Sequence, residues 1–202
     1  MSYMSGLIVQ MSGLDEFVAG WNAFGKQQFL DAGATNARLS QSVMAGEGAG
    51  NVAVSSRWDS IDKAMEAAST IRANPETAAM MKSAGVQTLR RSLLAVQAER
   101  GTSQGKYGTM LTGIGDPATP EQLRANADTF YGHMQDSVNG ITWMQAVAAG
   151  PMTGNYVTIS MCDSLDQLME ASQKMFAMPE IRQMMASQNF QLTGRSMFKV
   201  LG

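Results

Sequence analysis

The chain of 202 residues is short of several residue types that carry chemistry. It contains one cysteine, one histidine and only 16% charged residues, and its net charge is −2. A single cysteine excludes an internal disulfide, and together with one histidine it cannot supply a zinc ligand set, so we expect no metal site. No run of Lys or Arg stands out, so we expect no nucleic-acid partner. No apolar stretch is long enough to span a membrane. The N-terminus lacks the basic start of a signal peptide, and we expect a cytoplasmic protein.

What the sequence does contain is an internal repeat. When the chain is shifted by 104 residues, the segment that begins at Asp59 falls on the one that begins at Asp163. Both read Asp-Ser-(Ile or Leu)-Asp-x-(Ala or Leu)-Met-Glu-Ala, and both continue to a Pro-Glu pair. Fixed-period self-similarity indicates duplicated structural units. We therefore predict two domains, residues 1–100 and 101–202.

Each half shows the same succession of hydrophobic patterns. Short alternating runs predict strands, and apolar residues spaced by three and four predict amphipathic helices. In the first half, the run from Leu14 to Ala32 predicts one helix. Asp59 or Ser60 is expected to cap a second helix, and Asn74-Pro75 restarts it. The predicted order in each half is β-α-β-β-α-β, the ferredoxin-like arrangement.

This element order and the shared second-helix pattern resemble the dimeric α/β-barrel superfamily, which includes antibiotic-biosynthesis-monooxygenase-like and NIPSNAP-like domains. The resemblance covers essentially the whole chain. It implies an α+β fold in which two tandem ferredoxin-like βαββαβ repeats form one pseudo-twofold barrel. It also implies a small-molecule site between a sheet and its helices or inside the barrel. We expect no cofactor, and haem is the leading alternative because the superfamily has haem-binding members.

His133 is the candidate catalytic residue, because only its unperturbed pKa lies near neutrality. It would move a proton or serve as an axial haem ligand. The alternative is a histidine on the flank of a helix, paired with Asp136.

Six other residues are candidate ligand contacts, each with a structural alternative. Gln41 and Gln145 lie at matching mid-strand positions and would either meet a ligand or hold strands together. Arg91 and Arg195 begin the last strand of each repeat and would bind an anion or pair with Asp59 or Asp163. Trp143 and Tyr156 replace smaller residues in the second repeat, where they would line an aromatic pocket or simply repack the core. The methionines, Met65 among them, are expected to fill the core.

Two functions follow. The first is a small-molecule-binding protein that takes an apolar or aromatic compound in the second repeat, and that would act as a cofactor-independent monooxygenase or isomerase if it is an enzyme. The second is a non-catalytic interaction or assembly protein. Low charge and the small residues on both second helices further favour a symmetric homodimer.

Overall fold

The computed structural model describes residues 1–202 and shows the predicted element order in the first half. Two helices and a π-helical turn separate the first two strands, and the second crossover is a pair of helices. The elements are β1 (Ser2–Gln10), α1 (Leu14–Gly20), the π turn (Trp21–Gly25), α2 (Lys26–Asp31), β2 (Asn36–Met44), β3 (Val52–Trp58), α3 (Ile61–Ala73), α4 (Pro75–Ser83) and β4 (Gln87–Gly101).

The second half repeats this order, with a single helix in the first crossover. Its elements are β5 (Tyr107–Ile114), α5 (Pro120–Met134), β6 (Gly140–Ala148), β7 (Tyr156–Cys162), α6 (Leu165–Ala177), α7 (Pro179–Ser187) and β8 (Gln191–Val200). The hairpin of each half, β2–β3 and β6–β7, contains a short 3₁₀ turn. The predicted succession β-α-β-β-α-β is confirmed in both halves.

Within the first half, β1 pairs with β3 and β3 pairs with β2, and within the second half, β8 pairs with β5, β5 with β7 and β7 with β6. The first and third strands of each half are therefore neighbours. Both central pairs are antiparallel, with Leu7 opposite Val54 in the first half and Leu111 opposite Thr158 in the second. The predicted α+β fold of two ferredoxin-like repeats is confirmed.

Contacts divide the chain into two compact units. Unit 1 comprises residues 1–95, 147–151 and 200–202, and unit 2 comprises residues 96–146 and 152–199. No helix is long and apolar enough to cross a membrane.

Alternation along β3 explains how the unit 1 sheet presents an apolar face to its helices. Val52, Val54, Ser56 and Trp58 are buried, and the residues between them are half-buried. Because successive side chains point to opposite faces of a strand, this pattern directs the large apolar side chains to one side. Helices α1, α3 and α4 supply Phe17, Ala64 and Met80 among the residues that pack there.

The first predicted helix, Leu14 to Ala32, is interrupted in the structure. It contains the π turn at Trp21–Gly25, which places both Trp21 and Gly25 in the buried interior. A Cβ atom on Gly25 would lie 3.3 Å from Cε3 of Trp21. Single π turns inside helices shift the register of the side chains that follow. Here the turn brings the Trp21 ring under the sheet.

The second crossover of each half is split by proline, as Asn74-Pro75 predicts. Helix α4 begins at Pro75 and α7 begins at Pro179, because the residue before a proline is disfavoured in helical conformation. Asn74 caps α4, and its Oδ1 accepts hydrogen bonds from the backbone N of Glu76 at 2.9 Å and of Thr77 at 3.2 Å. The equivalent Met178 makes no such bond.

The methionine prediction holds for most positions and fails for Met65. Met175 is 4% exposed, and Met80, Met81, Met169, Met184 and Met185 are half-buried. Met65 is 63% exposed. It lines the open side of the unit 1 cavity on α3, although its counterpart Met169 is half-buried on α6.

Replacing Asn74 by Ala should lower the free energy of unfolding by about 1 kcal/mol, since the first turn of α4 loses its side-chain acceptor. Asn74→Asp keeps an acceptor oxygen at the same place and should stay near the wild-type value. Urea denaturation followed by circular dichroism measures both. Equal losses in the two variants would show that the cap bond does not stabilise α4.

Candidate functional site

Each unit has a cavity between its sheet and its helices, and the two cavities differ in size. The unit 1 cavity has a volume of about 360 Å³, and the unit 2 cavity has about 110 Å³. Sites for small molecules are mostly apolar clefts of about 300–1,000 Å³. Of these two cavities, only that of unit 1 falls in this range. Unit 2 also has an open surface groove of about 300 Å³ beside Arg182 and Arg195.

Aromatic side chains explain the smaller cavity of unit 2. Trp143, Tyr156, Phe176 and Phe190 all line it. The residues at the same repeat positions in unit 1 are Leu39, Val52, Arg72 and Val86. Within unit 2 the rings pack on one another, with ring centroids 6.0 Å apart for Tyr156 and Phe190 and 6.3 Å apart for Phe130 and Phe176. The space is therefore taken up by the chain itself.

The inner wall of the unit 1 cavity is aromatic and rigidly held. Trp21 and Trp58 are each 1% exposed, and Phe17 and Phe29 lie beside them. The indole N–H of Trp58 lies 3.0 Å from the hydroxyl oxygens of both Ser5 and Ser56. Because a buried polar group is costly without a partner, these hydroxyls fix the orientation of the Trp58 ring.

A second hydrogen bond joins two side chains that line the unit 1 cavity. The buried hydroxyl of Thr77 donates to the side-chain oxygen of Gln28, so α4 and α2 are joined at the cavity. The only ionisable side chains that line the cavity are Arg72 and Arg91. Both belong to residues that are exposed, so they lie at its mouth.

His133 lies outside both cavities. Its Nε2 is 2.7 Å from Oε1 of Glu180, so it links the last turn of α5 to the first turn of α7. Asp136, the neighbour expected from spacing along the helix, is not its ion-pair partner.

Gln41 and Gln145 also lie away from the cavities and occupy equivalent places in the two hairpins. The Gln41 amide donates to the carbonyl of Gly50 at 3.3 Å, and that of Gln145 donates to the carbonyl of Gly154 at 3.1 Å. Both contacts close the hairpin within one repeat. This is the strand-holding arrangement that the sequence left open as an alternative.

Arg195 is held by its own unit. Its Nη2 donates to Oγ of Ser172 at 2.7 Å, and its guanidinium carbon lies 5.9 Å from the centre of the Phe176 ring. Burial lowers the pKa of Arg195 below its usual value. Arg91, at the same repeat position, has no hydrogen bond or ion pair. Neither arginine is paired with Asp59 or Asp163, the acids expected from the sequence.

Trp143 and Tyr156 line the unit 2 cavity, as the sequence predicts for a pocket in the second repeat. The hydroxyl of Tyr156 donates to the backbone oxygen of Asp116 at 3.1 Å.

Cys162 is 1% exposed, and burial, with a contribution from Asp163, raises the pKa of its thiol to about 11. A buried thiol that stays protonated is a poor nucleophile.

The residues present do not fit haem. An axial ligand requires a side chain such as imidazole, thiolate or phenolate that faces the cofactor. His133 lies against Glu180 outside both cavities, and Cys162 is a buried thiol whose pKa is raised to about 11. The Tyr156 phenol lines the unit 2 cavity, but it donates to the backbone oxygen of Asp116. The unit 1 cavity has no imidazole, thiol or phenol, and its methionines would serve haem only as partners of a histidine. The chain also has no group of three or more His, Cys, Asp or Glu side chains that could hold a metal ion.

Comparison with known proteins agrees with the fold. The chain matches a solved protein assigned as a chlorite dismutase with a TM-score of 0.63 and 11% identity, over 98% of this chain and 94% of that one. It matches an anthrone oxidase-like protein with a TM-score of 0.53 and 13% identity, over 98% and 91%. The chain has the dimeric α/β-barrel fold. A protein of this fold from Fusobacterium nucleatum, assigned as a monooxygenase, matches with a TM-score of 0.59 and 8% identity, over 100% and 92%.

No protein-family model matches the sequence, and no protein of curated function matches it. The similarity to solved structures therefore shows the dimeric α/β-barrel fold alone, since the sequence identities are only 8–13%. Any chemistry must be argued from the residues of this chain.

Sequence reasoning missed the residues that distinguish the unit 1 cavity. Arg72 carries no sequence signal of the kind that marks the other candidates, because it is neither shared by the two repeats nor an aromatic replacement. One signal in the sequence could have found these residues. The arginine that both repeats share, Arg91 or Arg195, has different neighbours on helix α3 or α6 in the two repeats. Ser172 and Phe176, which contact Arg195, are replaced by Ala68 and Arg72 around Arg91.

Replacing Arg195 by Gln should lower the free energy of unfolding by about 1–3 kcal/mol, because the buried hydroxyl of Ser172 loses its partner. The matched variant Arg91→Gln removes a side chain without a partner and should change stability by less than about 0.5 kcal/mol. Thermal and urea unfolding measure both. Similar losses at the two positions would contradict the difference seen between the units.

Proposed function

We propose that the protein binds a small, largely apolar molecule in the unit 1 cavity. The observation that carries this proposal is an empty space of about 360 Å³ between the sheet and the helices, walled by Trp21, Trp58 and Phe29. For scale, a dry apolar cavity of about 150 Å³ in another protein binds benzene. The unit 1 cavity has room for a larger ring system.

This proposal places the ligand in the first repeat, whereas the sequence led us to expect it in the second. The aromatic residues that suggested a pocket in unit 2 fill most of the space there. In unit 1 the smaller Val86, which lines the cavity at the position of Phe190, leaves space open. Because aromatic rings prefer offset or edge-to-face contacts, Trp21 and Trp58 favour a flat, ring-containing ligand.

The polar groups of the unit 1 cavity support binding more than acid–base catalysis. They are hydroxyls, the indole N–H groups of Trp21 and Trp58, the Gln28 amide and the guanidiniums of Arg72 and Arg91. None of these exchanges a proton readily near neutral pH. A cofactor-independent monooxygenase or isomerase would use the same cavity, but His133 would take no part from its place beside Glu180.

The solved structures support a small-molecule function at the level of fold. Among them are proteins named as an anthrone oxidase-like protein and as a monooxygenase, names that imply organic substrates. An apolar or aromatic ligand for this chain is consistent with both.

A cavity-filling variant tests the proposal. Val86→Phe introduces the residue that unit 2 carries at the same position, Phe190, and should weaken binding of naphthalene-2-methanol by about tenfold or more, since the ring occupies ligand space. Isothermal titration calorimetry measures the affinity. The wild type should bind one molecule per chain.

The control is Val43→Phe, which makes the same change at a residue that is 46% exposed and does not line the cavity. It should bind as the wild type does. Absence of binding to the wild type, or unchanged binding to Val86→Phe, would contradict the proposed site.

Association of two copies is the second candidate function, and the exposed face of α3 favours it. Met65 is 63% exposed beside Ala68, and because both line the unit 1 cavity, a second copy on this apolar surface would lie against the cavity mouth. On α6 the equivalent Met169 and Ser172 are covered, so any such contact would involve unit 1 only.

We expect light scattering at micromolar concentration to report a particle of twice 21.6 kDa, and Met65→Lys to shift it toward the monomer, because a charge at the contact would be desolvated. A wild-type particle of 21.6 kDa would rule out the dimer.

A further inference from the structure

Two guanidinium groups at the mouth of the unit 1 cavity have no partner within the protein. Arg72 lies on α3 and Arg91 on β4, and both line the cavity. Neither takes part in an ion pair or a hydrogen bond, and no Asp or Glu lines the cavity. Because guanidinium groups stay protonated, the mouth carries two positive charges that the protein leaves uncompensated.

In unit 2 the arginine equivalent to Arg91 has partners within its own unit. Arg195 donates to the Ser172 hydroxyl and lies over the Phe176 ring, and its neighbour Arg182 donates to the carbonyl of Phe176 at 3.2 Å. All the guanidiniums at this edge of unit 2 therefore have partners inside the unit.

Unit 1 lacks both partners of the repeated arginine. The position of Ser172 is taken by Ala68, which has no hydroxyl, and the position of Phe176 is taken by Arg72, which adds a second cation. Both replacements line the unit 1 cavity. The acceptor for Arg91 must then come from water or from a ligand.

We propose that the ligand of the unit 1 cavity is an apolar molecule that carries one carboxylate. Its ring system lies against Trp21 and Trp58, and its carboxylate lies at the mouth between Arg72 and Arg91. This inference rests on the proposed function and adds the charge of the ligand to it. The planar fork of arginine matches a carboxylate through paired hydrogen bonds.

The position of the arginines suits this division of the ligand. A carboxylate buried among the tryptophans would lose its hydration without a partner, which is costly. At the mouth it keeps part of its hydration and gains two cations. The apolar part is removed from water, which supplies the main driving force for binding.

A matched pair of probes separates charge from shape. Naphthalene-2-carboxylate and naphthalene-2-methanol share the ring system and differ in the anion. By isothermal titration calorimetry we expect the carboxylate to bind the wild type about tenfold tighter or more, a preference that weakens as salt is added. Arg72→Gln and Arg91→Gln should each reduce carboxylate affinity by about tenfold and leave the affinity for the alcohol unchanged.

Lys82→Gln is the control for net charge. Lys82 is an exposed cation of the same unit that does not line the cavity, so its loss should leave the preference intact. Because Arg72 and Arg91 have no partner to lose, their variants should unfold at the wild-type temperature, which confirms that any change in affinity arises at the site.

A double variant transfers the unit 2 arrangement into unit 1. Ala68→Ser with Arg72→Phe gives Arg91 the hydroxyl and the ring that Arg195 already has. With its donors engaged, Arg91 should no longer favour the anion, and the two probes should bind about equally.

The outcomes distinguish this inference from the proposed function. If the wild type binds the two probes equally, or if the arginine variants keep the preference, the carboxylate is ruled out while the apolar site stands. If neither probe binds, both the carboxylate and the site are ruled out.

Discussion

The layer between the sheet and the helices of each unit is the constraint on which the rest of this protein depends. A ferredoxin-like unit has its helices on one face of its sheet, and the apolar surfaces that meet there must exclude water. Side chains of sufficient volume fill the layer, as Phe176 and Phe190 do in unit 2. Smaller ones leave a cavity, as Val86 does in unit 1. The two repeats therefore differ in the space between sheet and helices.

Because the chain contains two repeats, a filled layer and a layer with a cavity can be compared within one protein. Both repeats have the same element order and nearly the same turns, so differences between them isolate the effect of particular side chains. The arginine at the start of the last strand is the clearest case. In unit 2 it is bonded to Ser172 and covered by a ring, and in unit 1 the same residue is left at an open mouth. At this position one repeat therefore has an arginine with partners inside the unit, and the other has an arginine without a partner at the mouth of a cavity.

The residues that looked most chemical in the sequence have structural contacts in this fold. His133 joins two helices through Glu180, and Gln41 and Gln145 close hairpins. Their residue types are common in active sites, yet type alone does not bring a side chain to a cavity. The side chains that reach the unit 1 cavity are mostly apolar, and the cations among them stand at its edge.

The sequence by itself determined the repeat, the order of the elements and the fold class, because hydrophobic periodicity and turn residues are local signals that survive without knowledge of contacts. The helix restart at Pro75 and its Asn74 cap are local in the same way. Only the tertiary structure decided which repeat has the open cavity and which arginine lacks a partner. Those properties depend on volumes and distances between residues far apart in the chain, such as Ser172 and Arg195. The spacing of residues along one strand or helix therefore predicts neither the open cavity nor the arginine without a partner.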